Sequence, residues 1–323
     1  MQPITYLAPA LLLSSVTLAN ATPVELTNKL TADDGAAFDQ FGFSVGISGS
    51  MAIVGASRDD DNGGESGTDY LFDTTTGAQT KLTASDGEAG DQFGTSVAIS
   101  GSTAIVGALG DDDNGGNSGS AYLFNASTGD QIAKLTASDG AAFDKFGYSV
   151  GISGSTAIVG ARLDDDKGTN SGSAYFYDIA DIENPVETNL VANDGAGSDY
   201  FGVSVALSGS TAIVGARFDD DKGSFSGSAY FYDIADLQNP VETKLIADDG
   251  AADDVFGISV GISGSMAIVG AWLDDDKGTN SGSAYLYTAS APAPVPLPAS
   301  LWLLGAAVGG AAGLRRVAQR RRT

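Results

Sequence analysis

The chain repeats itself. Phe-Gly recurs at Phe41, Phe93, Phe146, Phe201 and Phe256, at intervals of 52, 53, 55 and 55 residues. Gly-Ala recurs in step at Gly55, Gly107, Gly160, Gly215 and Gly270, each time after a run such as Thr156-Ala157-Ile158-Val159. A period this long, filled with β-forming residues, is the pattern of propeller blades or a related array. Each unit is one small sheet that must bury a face against its neighbour.

Every unit reads as four strands. In strand A, Phe146, Tyr148, Val150 and Ile152 alternate with small residues, a period of two. A Ser-Gly-Ser link follows, as in a tight hairpin. Strand B (Thr156–Ala161) is apolar or small throughout, which predicts burial on both faces. Strand C (Ser171–Tyr177) is aromatic, and strand D is Glu187–Ala192 or its equivalent Thr80–Ala84. The last unit stops after strand C, at Ser283–Thr288, while a lone strand-D sequence, Val24–Ala32, precedes the first Phe-Gly. The reading is an all-β fold: a five-bladed β-propeller of four-stranded blades, closed by the N-terminal strand completing the last blade. Closure removes the edges that an open stack exposes.

The recurring residues Phe-Gly, Ser-Val-x-Ile-Ser-Gly, Ala-Ile-Val-Gly-Ala and Gly-Ser-Ala-Tyr-Leu-Phe resemble the FG-GAP repeat, the blade of the integrin α-chain propeller, especially its short bacterial form. The resemblance extends over about Leu30 to Tyr287. It implies a propeller, with the face carrying the B–C and D–A loops as the ligand side. One departure matters. Integrin-type blades often carry an Asp-rich calcium loop between strands A and B, whereas here that link is only Ser153-Gly154-Ser155.

The acids sit in the other two loops. In an up-and-down blade the chain reverses at every turn, so the B–C and D–A loops should share one face. Each B–C loop opens with three Asp, and each D–A loop repeats two. If metal binds, the candidate ligands are the first and third Asp of each triplet: Asp59, Asp61, Asp111, Asp113, Asp164, Asp166, Asp219, Asp221, Asp274 and Asp276. With them go the D–A pairs Asp34 and Asp39, Asp86 and Asp91, Asp139 and Asp144, Asp194 and Asp199, and Asp249 and Asp254. Calcium suits them, because it takes six to eight oxygens. At the affinities usual outside the cell, about 1 mM calcium would stabilise the fold by roughly 0.4–1.4 kcal/mol per site. A second reading makes these Asp residues turn formers on a solvated surface. Lys167, Lys222 and Lys277 follow three of the triplets and could pair with them.

Composition narrows the chemistry. There is no Cys and no His, which leaves no disulfide, no thiolate or imidazole ligand and no Ser-His-Asp relay. The net charge is −25, and five of the 16 basic residues lie in Arg315–Arg322. Such a body repels nucleic acid and anionic lipid.

The two ends read as addresses. Residues 1–21 read as a signal peptide: an apolar run, Tyr6 to Leu18, ends in Ala19-Asn20-Ala21, a pattern without its basic start. The propeller domain then spans residues 22–288. Residues 289–298 are a Pro-rich linker. Residues 299–314 are an uncharged run, long enough for a helix of about 24 Å against a hydrocarbon core of about 30 Å. Residues 315–323 are Arg-rich and stay cytoplasmic by the positive-inside rule. With Val295–Ala299 reading VPLPA, this order resembles the PEP-CTERM class of sorting signals. The resemblance implies a Gram-negative bacterium, transient membrane anchoring and a sortase-like processing protease. An ordinary tail anchor is the other reading.

Function is expected to be non-catalytic: a secreted surface or matrix protein, adhesive or ligand-binding, with an extracellular protein or polysaccharide as partner and no nucleic acid. The alternatives are a polysaccharide-active glycosidase or lyase, or a lectin. A catalytic carboxylate pair is normally unique, whereas these carboxylates recur fivefold. The Phe of each Phe-Gly is expected to wedge between blades. Phe225 and Trp272 break the pattern beside the acidic loops and are candidate binding aromatics.

Overall fold

The Val-, Ile- and aromatic-rich segments form strands throughout the computed structural model, which describes residues 29–288. Sheet 1 comprises β1 (Ser44–Ser48), β2 (Met51–Ala56), β3 (Thr68–Asp73) and β4 (Gln79–Leu82). Sheet 2 comprises β5 (Phe93–Ser100), β6 (Thr103–Ala108), β7 (Ser120–Asn125) and β8 (Gln131–Leu135). Sheet 3 comprises β9 (Phe146–Ser153), β10 (Thr156–Ala161), β11 (Ser173–Asp178) and β12 (Val186–Leu190). Sheet 4 comprises β13 (Phe201–Ser208), β14 (Thr211–Ala216), β15 (Ser228–Asp233) and β16 (Val241–Leu245). Sheet 5 has β17 (Ser259–Ser263), β18 (Met266–Ala271) and β19 (Ser283–Thr288). Each is an antiparallel meander in chain order. Among the described residues no helix is long and apolar enough to cross a membrane.

The second strand of each of the first four sheets is buried along both faces after its first residue. The third strand brings its aromatic rings beneath the Phe of Phe-Gly. Phe93, Phe146, Phe201 and Phe256 are almost fully buried, each packed on two rings of its own sheet's third strand and lying in a core cluster shared with the preceding sheet. Burying one such side chain stabilises the fold by roughly 1.5–3 kcal/mol. A β-bulge at the start of β5, β9 and β13 turns this Phe into the core.

Successive sheets are pegged together along their inner strands. Ser44, Ser96, Ser149 and Ser204 donate their hydroxyls to the carbonyls of Gly94, Gly147, Gly202 and Gly257 in the next sheet, at 2.7–2.8 Å. The Gly of Gly-Ala is required here: a Cβ on Gly107 would lie 2.0 Å from the Gly147 carbonyl oxygen. The five inner strands β1, β5, β9, β13 and β17 surround one central pocket. These five sheets around one pocket are the arrangement of a five-bladed propeller.

The fifth junction differs. β19 pairs only with β18 among the described residues, and Ser259 makes no peg. Leu286 is 76% exposed, whereas its equivalents Leu71 and Leu123 are buried. Leu30 and Ala32 pack on the first sheet, against the cluster of Val54, Tyr70 and Phe72. The expected closing strand begins at Val24, and its residues Val24–Asn28 lie outside the described residues. So do the signal, linker, hydrophobic and Arg-rich segments expected at 1–21 and 289–323.

Candidate functional site: the acidic loop face

The loops after the second and fourth strands meet, as the meander requires. The Phe93 N–H donates to the Ser66 carbonyl at 3.0 Å, and Phe146, Phe201 and Phe256 repeat the contact with Ser118, Ser171 and Ser226. The acidic loops therefore share one face.

Within each blade the first Asp of the triplet is the hub. Asp111 accepts from the Asp113 N–H at 3.1 Å, the Ser120 hydroxyl at 2.9 Å and the Tyr122 hydroxyl at 2.7 Å. Asp59, Asp164, Asp219 and Asp274 are likewise buried and likewise bonded to Tyr70, Tyr175, Tyr230 and Tyr285. Each Tyr hydroxyl also touches the first D–A Asp: Asp34, Asp86, Asp139, Asp194 or Asp249. A hydroxyl has one proton, so it cannot serve both carboxylates at once.

A lysine on the fourth strand resolves the conflict in three blades. Lys134 Nζ lies 2.8 Å from Asp86, 3.0 Å from Asp111 and 2.6 Å from Asp113. Lys244 repeats this with Asp194, Asp219 and Asp221 at 2.7, 2.9 and 2.6 Å. Lys81 bridges Asp34 and Asp61. Burial works against the Lys134 ammonium, yet the three carboxylates hold its pKa well above the ordinary value. In blade 3 the position is Asn189, whose amide donates to Asp139 and Asp166. The difference reaches the hub. Burial pushes Asp111 upward, but bonds from Tyr122 and Lys134 bring it below the ordinary carboxylate value. Burial wins at Asp164, which lacks the ammonium and sits above it.

The other recurring acids build the loops. Asp39, Asp91, Asp144, Asp199 and Asp254 each accept from a backbone N–H three residues earlier. They are turn formers and stand outside the tyrosine-bridged clusters. Burial raises Asp144 and Asp199 to about 6. The middle Asp of each triplet closes the B–C loop by accepting from the N–H five residues on, at Glu65, Asn117, Asn170, Phe225 and Asn280.

Of the expected ligands, then, the first and third triplet Asp and the first D–A Asp converge, and the second D–A Asp does not. Oxygens of Asp86, Asp111 and Asp113, and of Asp194, Asp219 and Asp221, lie within 4.8 Å of one another, so both groups could hold a metal ion. Each already surrounds an ammonium. Calcium at its usual 2.3–2.6 Å from oxygen would need the same space, so metal and lysine exclude each other there. Lys167, Lys222 and Lys277 form no ion pair among the described residues. Their backbone N–H groups donate to Ser171, Ser226 and Ser281 instead. The pairing lysines were missed in the sequence, although Lys-Leu recurs at the same place in the fourth strands.

The FG-GAP repeat pattern matches residues 24–72, 76–124, 130–177, 186–232 and 241–287. The chain belongs to the FG-GAP repeat family. No curated protein matches it. Each FG-GAP unit starts at or just before a fourth-strand sequence and runs to the end of the next third strand. Val24 therefore opens the first unit as Thr76, Asp130, Val186 and Val241 open the others.

Proposed function

We propose that this FG-GAP propeller is an exported, non-catalytic ligand-binding protein of the cell surface or extracellular matrix, and that its acidic loop face meets the ligand. The observation that carries the reading is the engagement of the recurring carboxylates. Each hub Asp is held by a tyrosine, a hydroxyl or N–H and, in two blades, directly by a lysine. A general acid or base needs a free carboxyl facing a cleft, and these are committed to the scaffold. The family and the loop-borne face support a binding role; the apolar N-terminus and the VPLPA, span and Arg order of the C-terminus support export and sorting. Calcium is the cation the Asp group of blade 3 suits by ligand chemistry, and lysine fills that role in blades 1, 2 and 4.

The reading includes a closed ring. Lys81, Lys134 and Lys244 pair in register with Tyr70, Tyr122 and Tyr230. In a closed ring the same register would set Lys29 opposite Tyr285, beside Asp249, Asp274 and Asp276. The test of function is binding of the full chain to extracellular polysaccharide and to intact cells, followed by analysis of the polysaccharide. Retention without chain cleavage is expected. Release of shortened sugars, or retention on neither material, would overturn it.

A further inference from the structure

Beside the loop lysines Lys167, Lys222 and Lys277, three further cations on the acidic face have no acid. Lys145, Arg162 and Arg217 form no ion pair among the described residues, in a chain with 41 acidic residues. The two arginines are gathered with aromatic rings instead. The Arg162 guanidinium lies 4.3 Å from the Tyr148 ring centroid and 5.6 Å from that of Tyr200. Arg217 lies 5.4 Å from Tyr200 and 4.5 Å from Phe218. Phe218 in turn packs on Phe225, which is 43% exposed. Both arginine Nε atoms are buried without an acceptor. Lys145 Nζ donates only to the neutral amide oxygen of Asn117.

The arrangement costs stability. Burial lowers the pKa of Lys145 and of Arg217, and the charge of Arg162 lowers both further. Nor does the fold demand it. The positions equivalent to Arg162 and Arg217 hold Ser57, Leu109 and Trp272 in the other blades, and those equivalent to Tyr200 include Gln40 and Gln92. An aperiodic, self-repelling cluster in a periodic scaffold marks a ligand site. A guanidinium stacked between rings keeps its edge for a planar, bidentate acceptor, which is a carboxylate.

Tyr148 is also the wall of a neighbouring pocket lined by Gln40, Phe43, Ser57, Arg58, Gln92, Thr95 and Leu109, in which Arg58 is paired with Glu65 at 3.5 Å. Neutral amides and hydroxyls beside aromatic rings suit a pyranose, which has an apolar face and a hydroxyl rim. The charge of the whole chain, −25, opposes a polyanion lying across the face.

We propose that Arg162, Arg217 and Lys145, with Tyr148 and the adjoining pocket, bind the single carboxylate-bearing sugar at the end of an oligosaccharide, a terminal uronic acid. This deepens the ligand-binding reading above and rests on it. The test is calorimetric titration of the full chain with glucuronic acid, with glucose and with a short peptide bearing a free C-terminal carboxylate. Glucuronic acid should bind with Kd in about the millimolar range, at least tenfold tighter than glucose or the peptide, and less tightly as salt rises. Arg162→Gln and Arg217→Gln should each weaken it at least tenfold while leaving the melting temperature unchanged or higher, because each removes an unpaired charge. Arg162→Lys keeps the charge but loses the fork and should weaken it too. Undiminished binding by the Gln variants, or equal binding of the peptide, would overturn the proposal. So would weakening that only follows a lower melting temperature. Retention on polysaccharide with no response to glucuronic acid would defeat this site and leave the general reading standing. Loss of both would defeat the two together.

Discussion

Asn189 donates its side-chain amide to Asp166 across 2.8 Å, at the place where Lys134 and Lys244 put an ammonium against Asp113 and Asp221. Blade 3 thus carries the same three carboxylates as its neighbours with one positive charge fewer. Asn189→Lys should rebuild the staple. We expect a gain of about 1 kcal/mol, as for a partly exposed charged bond, read as a higher melting temperature at pH 7. An unchanged or lower temperature would mean that blade 3 cannot accommodate the ammonium.

Removing an existing staple should do the reverse. Lys134→Met leaves Asp86, Asp111 and Asp113 together without their cation. The expected loss is about 2 kcal/mol, between surface and buried pairs. The vacated position is then open to calcium, so millimolar calcium should restore part of the loss in this variant and do less for the parent. Melting curves with calcium and with EDTA decide it. A variant as stable as the parent in EDTA would show the lysine to be incidental.

Asp69 provides a pH signature. It stands where the other blades have Ala121, Ala174, Ala229 and Ala284, fully buried, with neither oxygen bonded. Its neighbours Gly55, Leu82 and Gly94, on β2, β4 and β5, carry no charge, and burial alone raises its pKa well above the ordinary value. Unfolded, it ionises near pH 3.9. The folded state holds a proton that the unfolded state releases, so its contribution is complete below about pH 4 and falls as pH rises toward the folded pKa. Asp69→Ala should therefore stabilise the protein at pH 7 and do so much less at pH 3.5, read as the change in melting temperature at each pH. Equal effects at both pH values would rule out titration as the cause.

If the ring closes as proposed, Lys29 is the staple of blade 5. Lys29→Met should then lower the melting temperature about as much as Lys134→Met. In addition, Asn28→Cys with Leu286→Cys, a pair that a closed ring in the same register would set opposite each other, should then form a disulfide in a chain with no other Cys. No cross-link under oxidation, together with a silent Lys29→Met, would mean that the fifth junction stays open.

Much of the architecture was legible because it repeats. The strand read at Phe146–Ile152 is β9, Phe146–Ser153, and the run read as doubly buried is β10. The Phe-Gly wedge followed from its period alone. The site was legible only by class. The acidic face followed from chain reversal, but Asp34 and Asp39 look alike in sequence and differ in space. One reaches Tyr70, and the other turns back onto the Ala36 N–H. Lys81 escaped notice because it lies on a strand some 20 residues beyond the triplet it neutralises. Arg162 and Arg217 carried no periodic signal at all, and only the fold brings them to Tyr200.

The lysine staples have a consequence for where such a molecule can persist. Counter-ions held by covalent attachment are not washed out by dilution, nor stripped by a chelating matrix. In three of its five blades, this protein carries its own ionic atmosphere from place to place.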